Sequence, residues 1–270
     1  MARLDQELVS RGLARSRTHA AKLISDGKVS SGGAVLSKAS LQVDAQAQLD
    51  VDAHPEDVYV SRAGHKLAGA LAAFPEIAVA GRRCLDAGAS TGGFTDVLLR
   101  QGAAEVVAVD VGHGQLVQSL RDDPRVDVHE GLNVRYLTPD SIGGLAALTV
   151  ADLSFISLTL VLEPLAGCTE PGGDLVLMVK PQFEVGKERL SRTGVVSSDH
   201  ERRRAVAQVA RAAVDAGLEL KGLAASPLPG QDGNVEYFLW MKRRMSVPVP
   251  KIEERDEDVA ALMRTLWPND

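Results

Sequence analysis

Apolar and polar residues alternate along this chain in two distinct rhythms. In the first, Leu4, Leu8, Leu13, Ala20, Leu23 and Ile24 recur at helical spacing, interrupted by Gly12 and closed by Gly27. The spacing predicts two short helices, with Ser16 placed to cap the second. Val29, Val35, Val43 and the pair Leu49 and Val51 then stand in short turn-rich pieces that predict small strands. The polar, proline-bearing run His54-Pro55-Glu56-Asp57 marks a boundary, and an alanine-rich helical run follows it up to Phe74-Pro75. From there the second rhythm takes over. Apolar runs at 84–87, 106–110, 126–129, 148–152, 174–179, 218–224 and 235–241 read as strands, most of them separated by helical patterns. The clearest helix is 201–216, closed by Gly217. Only a loop, 228–234, separates the last two strands, which leaves no room for a crossover and predicts antiparallel neighbours.

These patterns predict an α/β fold built on an open seven-stranded sheet, preceded by a small α+β domain. The expected divisions are a first domain at 1–58, a linker at 59–64, a large domain at 65–245 and a tail at 246–270, to which no role is assigned. Seven strands ending in an antiparallel pair resemble the Rossmann-like sheet of the class I methyltransferases. That likeness of architecture does not by itself fix an activity.

Composition narrows the classes. With 270 residues, 45% hydrophobic and 24% charged, the chain has the balance of an ordinary globular protein. Its uncharged runs are shorter than the roughly 18 residues a membrane span needs. The opening Met-Ala-Arg-Leu-Asp-Gln-Glu lacks the apolar centre of a signal peptide, so a cytoplasmic location is expected. Two cysteines, Cys84 and Cys168, cannot build a disulfide framework or a metal site alone and are expected in the core. The formal net charge of −6 argues against bulk attraction to nucleic acid. From Arg3 to Lys38, however, seven basic residues face three acidic ones. That local surplus reads either as solvated helix faces or as a patch for RNA.

The stretch from Arg83 to Thr95 is the centre of the large domain. It reads as a strand, a glycine-rich turn at Gly88, Gly92 and Gly93, and the start of a helix whose first amides face the turn. Gly88 and Gly92 are four apart, which departs from the dinucleotide fingerprint, and no Lys-Ser or Lys-Thr pair completes a P-loop. Asp86, just before the first glycine, suits a ligand with positive charge and hydroxyls, such as S-adenosylmethionine, better than a pyrophosphate. A purely structural turn is the alternative. Asp110 ends the second strand, 22 residues after Gly88, where a ribose-binding acid stands in folds of this winding. Asp152 closes the fourth strand at the same crevice, and Phe155 is placed to stack near an adenine. Lys180 follows an apolar strand, Glu236 interrupts another, and Lys66 lies on a helix ahead of the sheet. Each alone is compatible with a structural salt bridge. Convergence on one crevice would be harder to explain that way.

Two resemblances sharpen these readings. Arg3-Leu4-Asp5-Gln6-Glu7-Leu8-Val9, then Ala14-Arg15-Ser16-Arg17, then Gly27-Lys28-Val29, resemble the small RNA-binding domain first recognised in a small-subunit ribosomal protein. That resemblance implies RNA contacts from Arg3, Arg15, Arg17, Lys22 and Lys28, with Arg62 added at the junction. The set Lys66, Asp152, Lys180 and Glu236 resembles the catalytic constellation of FtsJ-like ribose 2′-O-methyltransferases. Together with Ser61-Arg62-Ala63-Gly64-His65-Lys66-Leu67, Asp86-Ala87-Gly88-Ala89-Ser90-Thr91-Gly92-Gly93-Phe94, Ala151-Asp152-Leu153-Ser154-Phe155, Val179-Lys180-Pro181-Gln182-Phe183-Glu184 and Gly233-Asn234-Val235-Glu236-Tyr237, it makes the chain resemble the TlyA family. Members of that family are described as rRNA cytidine 2′-O-methyltransferases and are also named hemolysins.

The family resemblance implies S-adenosyl-L-methionine as cofactor, held by Asp86, Gly88, Ser90, Thr91, Gly92, Gly93, Phe94, Asp110 and Phe155. It implies rRNA in 16S and/or 23S form as substrate, no metal, no stable membrane association, and a link to susceptibility to ribosome-targeting peptide antibiotics. Within the tetrad, Lys180 is the expected base and Lys66 its electrostatic neighbour, with Asp152 and Glu236 orienting the two amines. A second amine nearby and partial burial both favour an uncharged lysine. The basic loop residues Lys187, Arg189 and Arg192 read as solvated charges or as contacts to the RNA backbone. The competing functions are a membrane-active cytolysin and a non-catalytic RNA-binding assembly factor. At the junction, Asp57-Val58-Tyr59-Val60 carries no assigned coupling role.

Overall fold

The computed structural model describes residues 2–14, 17–44, 46–52, 59–186, 188, 190, 193–245 and 251–268. The chain divides into two units, Met1–Val60 and Ser61–Asp270.

The first unit contains β1 (Ala2–Arg3), α1 (Leu4–Ser10), α2 (Arg17–Ser25), β2 (Val29–Ser31), β3 (Ala34–Val35), β4 (Gln42–Val43) and β5 (Asp50–Val51). Leu4 and Leu8, one turn apart, meet Ala20, Leu23 and Ile24 of α2 in a core closed by Val29, Val43 and Leu49. Gly27 ends α2 in a left-handed conformation (φ 70°), which lets the Lys28 amide donate back to the Leu23 carbonyl at 2.9 Å. β2 pairs antiparallel with β3 and β5, and β1 pairs with β4. Two helices followed by small strands is the expected order, apart from β1 ahead of the first helix. Ser16, the expected cap of α2, lies outside the described residues.

The second unit runs α3 (Arg62–Ala73), β6 (Arg83–Ala87), α4 (Gly93–Arg100), β7 (Glu105–Asp110), α5 (Gln118–Arg121), β8 (Val126–Glu130), β9 (Ala146–Ala151), α6 (Leu162–Cys168), β10 (Thr169–Val179), α7 (Pro181–Glu184), α8 (Asp199–Asp215), β11 (Leu218–Ala225), β12 (Tyr237–Arg243) and α9 (Ile252–Arg264). Its seven-stranded sheet has the order β11-β12-β10-β9-β6-β7-β8. The central strands are parallel, and β12 lies antiparallel to both β10 and β11. Because β6 and β9 are buried on both faces, they read as near-continuous apolar runs rather than alternating ones. Cys84 and Cys168 are both buried, as expected.

Three boundaries differ from the sequence reading. α3 begins at Arg62, inside the stretch expected as a linker at 59–64, because extended Ser61 ends the approach and the Gly64 amide already bonds its carbonyl at 3.0 Å. Glu236 stands just ahead of β12 rather than within it. Part of the expected tail at 246–270 is α9. Val259 and Leu262 bury into the core of the large unit, and Arg255 and Asp256 on the same helix pair with Asp215 and Arg211 of α8 at 3.0 and 3.1 Å. The acidic run before Val259 masks that apolar spacing in the sequence.

Candidate active site

The carboxyl ends of β6, β7, β9 and β10 open onto one crevice, the place where open α/β sheets bind ligands. After Ala87 the chain turns at Gly88 (φ 87°), where a Cβ would lie 3.0 Å from the Asp152 carbonyl oxygen. Ser90 is also left-handed (φ 48°) and is held there by Asp110. The Asp110 carboxylate accepts from the Ser90 amide at 2.8 Å and from the Gly112 amide at 2.7 Å, stitching β7 to the turn after β6. Gly88, Ser90, Asp110, Gln115 and Phe155 border a cavity of about 530 Å³, within the size range of small-molecule sites.

A small pocket of about 160 Å³ continues inward past Ala89, Thr91 and Gly93 to Asp152, Ser154 and Lys180. There the acceptor side begins. Lys180 Nζ is 2.6 Å from Asp152 Oδ1 and donates to Ser154 Oγ at 3.0 Å. Lys66 on α3 reaches Glu236 Oε2 at 2.5 Å, and Gln182 Nε2 donates to the other Glu236 oxygen at 3.4 Å. Lys66, Lys180 and Glu236 are all buried, and they share with Ser154, Phe155 and Gln182 the wall of a cleft of about 820 Å³. The four expected catalytic residues thus stand as two amine–carboxylate pairs, Lys66 with Glu236 and Lys180 with Asp152. Ser154 borders all three cavities.

Backbone contacts fix this arrangement. Asn234 ties the loop before β12 to residues 194–196, accepting from the Val196 amide at 2.9 Å and donating to the Gly194 carbonyl at 3.1 Å. Gly93 lets α4 touch the start of α3, since a Cβ there would meet Ser61 Oγ, Ala63 and the Gly64 amide. Glu184 is buried and accepts from Ser157 Oγ at 2.5 Å and from the Leu158 amide at 2.8 Å, pinning the loop that carries Ser154 and Phe155. Burial pushes its carboxyl pKa upward, against those two hydrogen bonds.

The other expected ligand residues differ in their surroundings. Asp86 is wholly buried and does not border the cavities; Thr95 Oγ1 donates to its Oδ2 at 2.6 Å, so it braces the turn from beneath. Burial, together with the charges of Asp152 and Asp110, raises its pKa to about 7 against the hydrogen bonds from Thr95. Phe94 puts its ring beside Phe238, 6.1 Å between centroids, and also borders the inner pocket. Gly92 serves a left-handed helix start (φ 97°), where a Cβ would collide with Leu120. Phe155 is 92% exposed, left-handed (φ 63°), and 5.4 Å from the Phe183 ring, at the rim shared by the two larger cavities. Sequence reasoning missed Ser154 and Gln182, which stand two residues after Asp152 and Lys180 on the same loops.

Among the expected RNA contacts, Arg3 and Arg17 both bind Asp5, Lys22 pairs with Asp26 at 2.6 Å, and Arg62 donates to the Pro229 carbonyl at 3.0 Å. Lys28 stands between the end of α2 and the start of β2. Arg15, Lys187, Arg189 and Arg192 lie outside the described residues.

The seven-stranded sheet with its antiparallel final strand is that of a class I methyltransferase domain, on a chain that also carries a small unit of two helices and short strands. Residues 59–243 match the FtsJ-like methyltransferase family and residues 2–49 match the S4 domain. The chain is 58% identical over 241 residues, 89% of its length and 90% of the relative's, to the 16S/23S rRNA (cytidine-2′-O)-methyltransferase TlyA of Mycobacterium tuberculosis. It is 35% identical over 237 residues, 87% of its length and 98% of the relative's, to Hemolysin A of Brachyspira hyodysenteriae. A solved structure described as a hemolysin from Streptococcus thermophilus superposes with a TM-score of 0.70 at 38% identity, covering 99% of this chain and 97% of that one. The chain belongs to the TlyA family of FtsJ-like methyltransferases.

Proposed function

We propose that this protein methylates ribose 2′ hydroxyls of ribosomal RNA in the cytoplasm, at cytidine, with S-adenosylmethionine as methyl donor. The observation that carries the reading is the position of Lys180, which faces the inner pocket on one side and the cleft lined by Lys66 and Glu236 on the other.

The 530 Å³ cavity fits such a donor. Its floor at Gly88 has no room for a Cβ, and Asp110 and Ser90 offer a carboxylate and a hydroxyl at the rim. Bound there, the cofactor supplies an electrophilic methyl group on sulfur. The residues of the chain do the rest. A ribose hydroxyl entering the cleft is a poor nucleophile and must lose its proton as it attacks. Lys180 is placed to take that proton, and Asp152 then faces the ammonium at 2.6 Å. Lys66, held by Glu236, donates a hydrogen bond that orients the hydroxyl. Because the reaction is one in-line displacement, positioning supplies most of the acceleration. The S4 unit supplies the contact with RNA.

The hemolysin names of two relatives favour a second reading, membrane lysis. Among the described residues no helix is long and apolar enough to cross a membrane. Leakage from liposomes by a variant lacking Lys180 would establish that activity apart from methyl transfer. The first reading is tested by incubating the protein and cofactor with unmodified ribosomal subunits and mapping rRNA fragments by mass. One added methyl on the ribose of a cytidine is expected. Unchanged fragments, or a methyl residing on a base, would overturn the proposal.

A further inference from the structure

Asp5 is an acidic residue in the middle of a basic patch, and it is buried, with only 6% of its side chain exposed. Arg3 grips it from one side, Nε to Oδ1 at 2.9 Å and Nη2 to Oδ2 at 3.1 Å. Arg17 binds the same Oδ2 from α2, through Nη2 at 3.0 Å and Nε at 3.3 Å. Both arginine side chains remain open to solvent, 40% and 58% exposed. The carboxylate is therefore committed to its ionised form; the hydrogen bond from Arg3, reinforced by Arg17, holds its pKa far below the usual aspartate range.

Two guanidinium groups sharing one oxygen atom would repel each other without the charge between them. Each spends one edge on Asp5 and keeps further N–H donors facing outward. A fixed guanidinium also has less rotamer freedom to lose when it meets a phosphate. Arg3 of β1 and Arg17 at the start of α2 are thereby joined in one cationic fork.

We infer that Asp5 is a positioning residue for RNA, setting Arg3 and Arg17 as a paired clamp for backbone phosphate. The inference rests on the reading of these arginines as RNA contacts. It makes a prediction opposite in sign to simple charge counting: removing a negative charge from this unit weakens its binding to a polyanion.

The test is fluorescence anisotropy of the full chain with a structured 16S rRNA transcript across a series of salt concentrations. Asp5→Asn should weaken binding about three- to tenfold and lower the slope of log affinity against log salt by about one, the share of one phosphate contact. In a background already carrying Arg3→Ala and Arg17→Ala, Asp5→Asn should cause no further loss. Parental or tighter binding by the single variant overturns the inference, as does an equal loss in both backgrounds, which marks a role in folding alone. If Arg3→Ala and Arg17→Ala themselves bind as the parent does, the underlying reading fails and the inference fails with it. Should thermal melting show that Asp5→Asn unfolds this unit, Arg17→Lys decides. It keeps the charge but loses the two-point grip on Asp5, so binding close to that of Arg17→Ala is expected, and parental affinity overturns the inference.

Discussion

The two units both keep carboxylates beside cations, and they do so in opposite ways. In the first, one buried acid faces two arginines whose heads stay in water. In the second, Asp152 and Glu236 each hold one lysine whose side chain is only 10% exposed. An exposed cation gains little from its partner but projects its field outward, which suits capture of a polyanion. A buried amine is costly to desolvate and depends on its partner, which suits a task performed out of contact with bulk water. Asp86 marks a third condition, an acid sealed inside the fold with Thr95 as hydrogen-bond partner. The company an acid keeps thus differs among three places within one chain.

The sharpest way to break this division is to exchange the expected losses. Lys180→Ala should lower the rate of methyl transfer by about 10²- to 10⁴-fold, the range for loss of a general base, while cofactor and RNA affinities stay at parental values. A turnover unchanged by Lys180→Ala would remove the buried pairs from the chemistry. The next effect is on stability. Glu236→Gln leaves Lys66 buried without its countercharge, at a cost of about 3–5 kcal/mol measured by denaturant unfolding of the large unit. A loss below about 1 kcal/mol, as for an exposed pair, would place Lys66 in the same condition as Arg17.

The smallest effect concerns Asp86. Its folded pKa is raised from the ordinary 3.8 to about 7, so the folded state favours the protonated acid more than the unfolded chain does. The stability this confers is fully present below about pH 4 and is lost as pH rises through about 7. Melting temperatures of the parent should therefore fall between pH 5 and pH 8 relative to those of Asp86→Asn, measured without cofactor. Parallel curves for the two proteins would show that Asp86 is not a neutral acid in the fold.

The sheet was legible because strands buried on both faces write themselves as apolar runs, and the antiparallel final pair followed from a connection too short to cross over. The tetrad was named as a set from its resemblance to the FtsJ-like constellation, and Lys180 stood out within it for a related reason. A lysine at the end of a run as apolar as 175–179 has few stable fates other than pairing. What sequence did not reveal is which side of a short turn a residue faces. Asp86 and Asp110 both end or nearly end strands, yet one is sealed beneath the turn and the other ties it from above. Phe94, in the glycine-rich motif, packs against Phe238 while also bordering the inner pocket. α9 stayed hidden because its buried positions, Val259 and Leu262, are outnumbered by charges, most of them exposed, among which Arg255 and Asp256 pair with α8.

The loop from Leu153 to Ile156 is wall to both larger cavities, with Ser154 and Phe155 facing each. A shared wall gives two guests a means of thermodynamic linkage. Any effect that a guest on one side exerts through this loop on affinity at the other is matched by the same factor in the reverse direction, in whichever order the two arrive. By accepting from Ser157 and Leu158, Glu184 restrains the wall that the two cavities share.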